Sequence, residues 1–178
     1  MKRTPPVHLP LLAATVLCFT ACAPVVPRRV PFNQADFAAY RGPATATVTG
    51  QLVVSTRDGP QEGHGSNVEL VPINAYTEEM VEMELGRGLL LAPSVDARFK
   101  KYARIVTTDS HGNFSIPAVP AGRYCICGEV DWLPPASDDY SGQWAMERIN
   151  VARGQTLHVT LTHNPNHGHI MEMVQTLR

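Results

Sequence analysis

Ala44-Thr45-Ala46-Thr47-Val48-Thr49-Gly50-Gln51-Leu52-Val53-Val54-Ser55 is the stretch on which the fold of this chain turns. Ala46, Val48, Gly50, Leu52 and Val54 fall on one side of an extended backbone. Thr45, Thr47, Thr49 and Gln51 fall on the other. Successive side chains of a strand point to opposite faces, so a period of two marks a strand with one dry face and one wet face. The run of Thr and Val favours the same geometry, because β-branched side chains fit a pleated surface.

The same pattern recurs outward from this stretch. Residues 57–66 read as a loop on their Gly, Pro and Asp content. A second strand covers 67–72, with Val68 and Leu70 inward. Further strands cover 104–108, 114–116, 123–132, 143–151 and 156–162. In the long one, Tyr124, Ile126, Gly128, Val130 and Trp132 share a face. In the last one, Leu157, Val159 and Leu161 do. Turn signals separate these segments, and seven such strands predict an all-β sandwich.

One segment breaks the period. Thr77 is placed to cap a helix, and Glu78 and Glu79 suit its first turn. Met80, Val81, Glu84 and Leu85 follow at helical spacing until Gly86 and Gly88 stop it. Leu89 to Pro93 reads as an apolar connector, and a second short helix runs from Ser94 through Asp96, Phe99 and Tyr102. Residues 73–101 are thus a short helical insertion between strands, longer than ordinary loops. Its Met and Leu content suits covering a sheet face, or docking a partner.

The 178 residues carry a net charge of −1, with 13 Gly and 15 Pro. That length predicts one folded unit. The absence of a basic excess excludes nucleic acid as a partner, since such binding rests on counterion release.

At the front, Lys2 and Arg3 precede an apolar run from Leu9 to Phe19. It is shorter than the ~20 residues that span a bilayer and suits the core of an export signal. Phe19-Thr20-Ala21-Cys22 then resembles the lipobox of bacterial lipoproteins. That resemblance implies cleavage after residue 21 and acylation of Cys22, so that the membrane is a partner through the N-terminal lipid. Ala23 after the cysteine resembles the class sorted to the outer membrane, facing the periplasm. Pro24, Pro27 and Pro31 predict an extended tether within 22–43. The expected organisation is a signal peptide 1–21, a lipidated tether 22–43, a sandwich 44–162 with its insertion 73–101, and a tail 163–178.

A second resemblance lies in the strands. Thr108-Asp109-Ser110-His111-Gly112-Asn113-Phe114, then Val119-Pro120-Ala121-Gly122-Arg123-Tyr124, resembles the two turns of the carboxypeptidase regulatory-like domain. Val48-Thr49-Gly50-Gln51-Leu52-Val53 and Val151-Ala152-Arg153-Gly154-Gln155 resemble its front and its closing hairpin. The resemblance implies a transthyretin-like Greek-key sandwich used as an accessory or adhesive module. Asp109, Gly112, Gly122 and Tyr124 are its fold residues. The peptidase domain that holds the catalytic zinc in those enzymes has no counterpart here, so no catalytic residue and no cofactor carries over.

Cys125 and Cys127 alternate with Tyr124 and therefore share the opposite face. At i,i+2 in a strand their Cα atoms stand near ~6.5–7 Å, at the edge of disulfide geometry. A strained disulfide, buried free thiols, and metal or redox use are the three readings. His163, His167 and His169, with Met171 and Met173 beyond, offer imidazole and thioether ligands for copper or zinc, or form a solvated polar tail. Asp109-Ser110-His111 does not set up hydrolysis, because adjacent residues do not converge on one atom. Asp138-Asp139 and Glu78-Glu79 supply too few oxygens for Ca²⁺.

The expected function is a non-enzymatic, membrane-anchored periplasmic binding or scaffolding module, its partner another envelope protein or a polymer ligand. The alternatives are a metal-handling lipoprotein that uses the His/Met tail, and a subunit of an envelope machine such as a secretion system.

Overall fold

The structure, a computed structural model, describes residues 24–135 and 139–163. Cys22, His167 and His169 lie outside these. Among the described residues the chain forms ten strands. They are β1 (Val25–Pro27), β2 (Ala44–Thr56), β3 (Gly59–Glu62), β4 (Asn67–Pro72), β5 (Leu90–Ala92), β6 (Arg104–Thr107), β7 (Asn113–Pro120), β8 (Gly122–Trp132), β9 (Ser141–Val151) and β10 (Thr156–Leu161). A helix, α1 (Ala75–Met80), continues into a π turn at Val81–Gly86, and short 3₁₀ turns cover Gln34–Arg41 and Ala97–Lys101. No helix among the described residues is long and apolar enough to cross a membrane.

β2 organises the first sheet. It pairs in parallel with β10, from Thr47↔Thr156 to Leu52↔Leu161. It pairs antiparallel with β7 from Ala44↔Pro120 to Gln51↔Asn113. Its last residues pair with β3. Leu52 joins the two antiparallel neighbours: its N–H donates to the Gly112 carbonyl and its carbonyl accepts from Gly63, each at 2.9 Å. The second sheet has the order β6-β4-β8-β9.

The alternation read along 44–55 is what packs these sheets together. Ala46, Val48, Gly50, Leu52 and Val54 are buried, and Thr47, Thr49, Gln51 and Val53 between them are partly exposed. They meet Val68, Leu70, Tyr124, Ile126, Val130 and Ala145 of the second sheet in one core, which Phe114, Ile116, Val159 and Leu161 complete.

A second apolar cluster lies on the outer face of the β6-β4-β8-β9 sheet. Val71, Cys125, Cys127, Trp144 and Met146 of that face are covered by Phe37, Tyr76, Met80, Val81, Leu91 and Phe99. Aromatic rings fill it: Phe37 stacks on Tyr102 at 4.4 Å and on Phe32 at 5.2 Å, and Tyr76 and Phe99 stand 5.9 Å apart. The insertion therefore serves as a cover for this sheet.

Several expectations need correction. Residues 57–66 hold β3 as well as a turn, because Thr56 and the turn after it close a hairpin: its hydroxyl donates to the Gly59 carbonyl at 2.8 Å. Helix α1 is capped by Asn74. Thr77 completes a capping box from the third helical position, donating to Pro72 as well. The strand expected at 114–116 runs from Asn113 to Pro120. The second helix of the insertion is a 3₁₀ turn capped by Asp96. The Leu89 to Pro93 connector contains β5.

The largest difference concerns the proline-rich stretch. It is not a free spacer from Pro24 on. The Pro24 carbonyl accepts from Leu90 N–H at 3.0 Å, β1 pairs in parallel with β5, and Arg28 N–H donates to Ala92 at 2.8 Å. Proline favours extended backbone, and here that backbone finds a strand edge rather than solvent.

Candidate functional site

Arg28 anchors this N-terminal strap. Its guanidinium stacks over the Tyr76 ring at 4.3 Å and donates to the Pro93 and Tyr76 carbonyls. Glu79 faces it at 3.8 Å, and both side chains are almost wholly buried. The Glu79 carboxylate also accepts from the backbone N–H groups of Arg29, at 2.7 Å, and Val30, at 3.0 Å. Beside the strap lies a cleft of about 390 Å³, lined by Val26, Pro27, Arg29, Glu82, Met83 and Arg87 among others. Arg87 and Glu82 pair there at 2.6 Å.

The sequence motifs resolve into structural roles. Asp109 accepts from His111 N–H at 2.8 Å and from the Asn113 N–H and side chain at 2.9 and 3.1 Å. Those bonds, the Asn113 side chain first, hold its carboxyl below the ordinary range. Gly112 has a φ of 74°, and a Cβ there would stand 2.5 Å from the Leu52 carbonyl oxygen. Gly122 lets the Tyr40 ring approach closely. Tyr40 in turn meets Tyr124 edge-on at 5.3 Å, and the Tyr124 hydroxyl donates to Pro120 at 2.9 Å. Burial pushes that phenol up to about 12.

Cys125 and Cys127 are free and buried. Burial pushes the Cys125 thiol up to about 12 and Cys127 well above its usual value. A thiol held in that form is a weak nucleophile and a weak metal ligand. His163 donates through Nδ1 to the Trp144 carbonyl at 3.1 Å, while His167 and His169 lie outside the described residues. Among the described residues no three His, Cys, Asp or Glu groups converge as a metal site. His111 stands 3.7 Å from Glu62 on the exposed turn surface.

Glu69 escaped the sequence reading. It sits on β4 between Cys127 of β8 and Ile105 of β6, is 2 % exposed, and one of its oxygens has no partner. Burial raises its pKa to about 7, and burial raises that of Glu84 too. A carboxyl whose folded pKa lies above its unfolded value contributes stability that is complete below the unfolded pKa and is lost as pH rises through the folded one. Stability should therefore fall between about pH 4.5 and 7, with Glu69 responsible for roughly 3 kcal/mol of the decline. Thermal unfolding from pH 5 to 8 should show a falling midpoint in the native chain, a weaker fall in Glu69→Gln, and almost none in the Glu69→Gln, Glu84→Gln double variant. The only sequence signal for this was the charged residue between Val68 and Leu70, which reads equally well as a wet face.

The free end of the β8–β9 hairpin carries the other candidate surface. Tyr140 is 75 % exposed and Leu133 is 50 % exposed. Gly142 lies across from Asp131. A Cβ at Gly142 would come within 2.7 Å of the Asp131 carboxylate and 3.0 Å of that of Glu129, so both acids lean over the neighbouring strand. The exposed Tyr140 ring beside these carboxylates forms a surface with both stacking and hydrogen-bonding capacity, while Trp132 packs on the opposite, inner face.

No family model and no curated protein matches the chain, so the carboxypeptidase regulatory-like resemblance stands on its motifs. Among solved structures, a Pseudomonas aeruginosa protein described as a "putative carbohydrate binding protein" matches with a TM-score of 0.64 at 25 % identity. The match covers 74 % of this chain and 97 % of that one. The chain thus has a β domain of the kind seen in that binding protein. A 9R-lipoxygenase from Cyanothece matches at 17 % identity and a TM-score of 0.32, over 17 % of its own length, which is too slight to inform function.

Proposed function

We propose that this chain is a membrane-anchored binding module of the bacterial envelope, not an enzyme, and that its ligand is a carbohydrate. The anchor would be lipid on Cys22, and the location the periplasmic side of the outer membrane, as the Phe19-Thr20-Ala21-Cys22 motif implies. The observation that carries the ligand class is the likeness, over 74 % of this chain, to a protein described as a "putative carbohydrate binding protein". The hairpin end supports it. The flat face of Tyr140 suits the C–H face of a sugar ring, and the Asp131 and Glu129 carboxylates suit its hydroxyls.

The test is a titration of the mature chain with soluble polysaccharide fragments of the cell envelope, read by calorimetry. Binding should be measurable for at least one, and Tyr140→Ala should weaken it by about tenfold, the order of magnitude of one lost aromatic contact in an exposed site. Thermal unfolding of Tyr140→Ala should match the native chain, because the side chain packs against little. Binding unchanged in Tyr140→Ala would place the ligand elsewhere. No binding to any fragment would remove the carbohydrate reading.

A further inference from the structure

The docked strap leaves Cys22 very little chain. Pro24 is already hydrogen-bonded to Leu90. Two residues span at most about 7 Å. The polar headgroup layer of a bilayer leaflet is about 5–8 Å deep. An acyl chain on Cys22 would therefore hold the β1–β5 edge at the headgroup layer.

The surface at that point is suited to such contact. The large apolar side chains exposed among the described residues are Val25, Leu90, Ile105, Leu133 and Tyr140. Val25, 63 % exposed, and Leu90, 38 % exposed, are direct register partners across the β1–β5 pair. Their neighbours Val26 and Leu91 point the other way, and Leu91 is buried. Two apolar side chains thus stand together on the edge that the anchor would bring to the lipid. The adjoining cleft balances Arg29 and Arg87 against Glu79 and Glu82. A balanced lining gives no net attraction to anionic lipid.

We propose that the β1–β5 edge is a membrane-contact surface, with Val25 and Leu90 seated in the headgroup layer and the domain held in one orientation by its docked strap. This inference rests on the lipidation of Cys22. The occupant is the bilayer itself. β8 runs from Gly122, next to the Arg123 that meets Glu78 of α1, to Trp132, ten steps or about 33 Å at ~3.3 Å per residue. Tyr140 precedes Ser141, which pairs with Trp132, so it lies at the opposite end of β8 from the start of α1.

The experiment uses the full chain, matured in a host that acylates lipoproteins and reconstituted into vesicles of phosphatidylcholine, with or without phosphatidylglycerol. A nitroxide is placed at Val25→Cys and, in a separate sample, at Tyr140→Cys. The native Cys125 and Cys127 are buried, and unlabelled-position controls correct for them. Collision with a water-soluble nickel complex and with lipid-soluble oxygen is measured for each. At Val25 the nickel collision rate should fall several-fold on vesicle binding and the oxygen rate should rise, equally in both vesicle types. At Tyr140 neither should change. If the protein floats with the vesicles and the Val25 probe stays as wet as the Tyr140 probe, the contact is overturned while the anchor stands. If Cys22→Ser floats as well as the native chain, or the native chain does not float, the anchor is overturned and the contact falls with it. Shielding of Val25 in Cys22→Ser without vesicles would assign the edge to a second copy of the chain and also overturn the proposal.

Discussion

Replacing Gly50 by alanine is expected to unfold the domain or to lower its melting temperature by about 15 °C or more. Gly50 lies in the middle of β2, where β2 pairs in parallel with β10. A Cβ there would stand 1.9 Å from the Val159 carbonyl oxygen and 2.7 Å from Cζ of Phe114. Phe114 could turn aside, but the Val159 oxygen is backbone. Relief requires β10 to move away, and that breaks the pairing from Thr47↔Thr156 to Leu52↔Leu161. Overpacking against fixed backbone belongs to the small class of substitutions that cost about 4 kcal/mol or more, against a total stability of roughly 5–15 kcal/mol. Gly154 is the control. Its φ is +71°, but nothing lies within 4 Å of a Cβ built there. Gly154→Ala should cost only the backbone term, about 1–2 kcal/mol. Urea and thermal unfolding of the two variants would compare close approach with conformational freedom directly. A Gly50→Ala protein as stable as Gly154→Ala would mean that β10 does not pair with β2 as described.

Gly50 also shows what the sequence reveals and what it conceals. Its place in the alternation of 44–55 was plain, and the alternation correctly assigned Ala46, Val48, Leu52 and Val54 to the core. What forces glycine there is a strand more than a hundred residues later, and no local pattern carries that information. The same division runs through the rest of the chain. Long strands with a regular dry face were legible, as with Tyr124, Ile126 and Val130 on β8. β1, β3 and β5 were not, because three or four residues are too short to show a period, while Pro27 read as part of a tether and Gly59 and Pro60 as turn residues. The outer apolar cluster was partly legible. The insertion looked suited to cover a sheet, but Phe32, Phe37, Tyr76, Phe99 and Tyr102 converge from three separate segments without a common period.

Candidate site residues divide along the same line. The placing of Cys125 and Cys127 on one face opposite Tyr124 followed from strand geometry alone, whereas their free, buried state depended on what lay over that face. The burial of Glu69, Glu79 and Arg28 was not legible, since charged residues are seldom buried unless paired. Their burial is a property of partners brought together by the fold. Exposure of Tyr140 depended on the absence of packing around it, which a sequence does not record.

The Arg28–Glu79 pair gives the second large effect, and it tests whether the strap belongs to the folded unit. Glu79→Ala removes the carboxylate that faces Arg28 and that accepts from the Arg29 and Val30 N–H groups. The guanidinium is then left buried, with one of its nitrogens already unpartnered. Loss of one member of a buried ion pair costs about 3–5 kcal/mol. The chain can escape that cost by releasing the strap, which returns Arg28 to water but abandons the β1–β5 pairing and the packing of Val26, Val30 and Phe32 on the outer cluster. Amide exchange at Leu90 and Arg28 should therefore accelerate far more than exchange in β2 or β8, and limited proteolysis should cut between Pro24 and Phe32. Arg28→Met with Glu79→Met removes both charges while keeping apolar volume, and should recover most of the stability lost in Glu79→Ala. It would not restore the two bonds from the strap backbone, so local exchange at Arg29 and Val30 should stay fast while the global midpoint recovers. Equal protection of the strap in Glu79→Ala and the native chain would show that the pair does not hold it. The docking of the strap from Pro24 on would then have to rest on the β1–β5 hydrogen bonds alone.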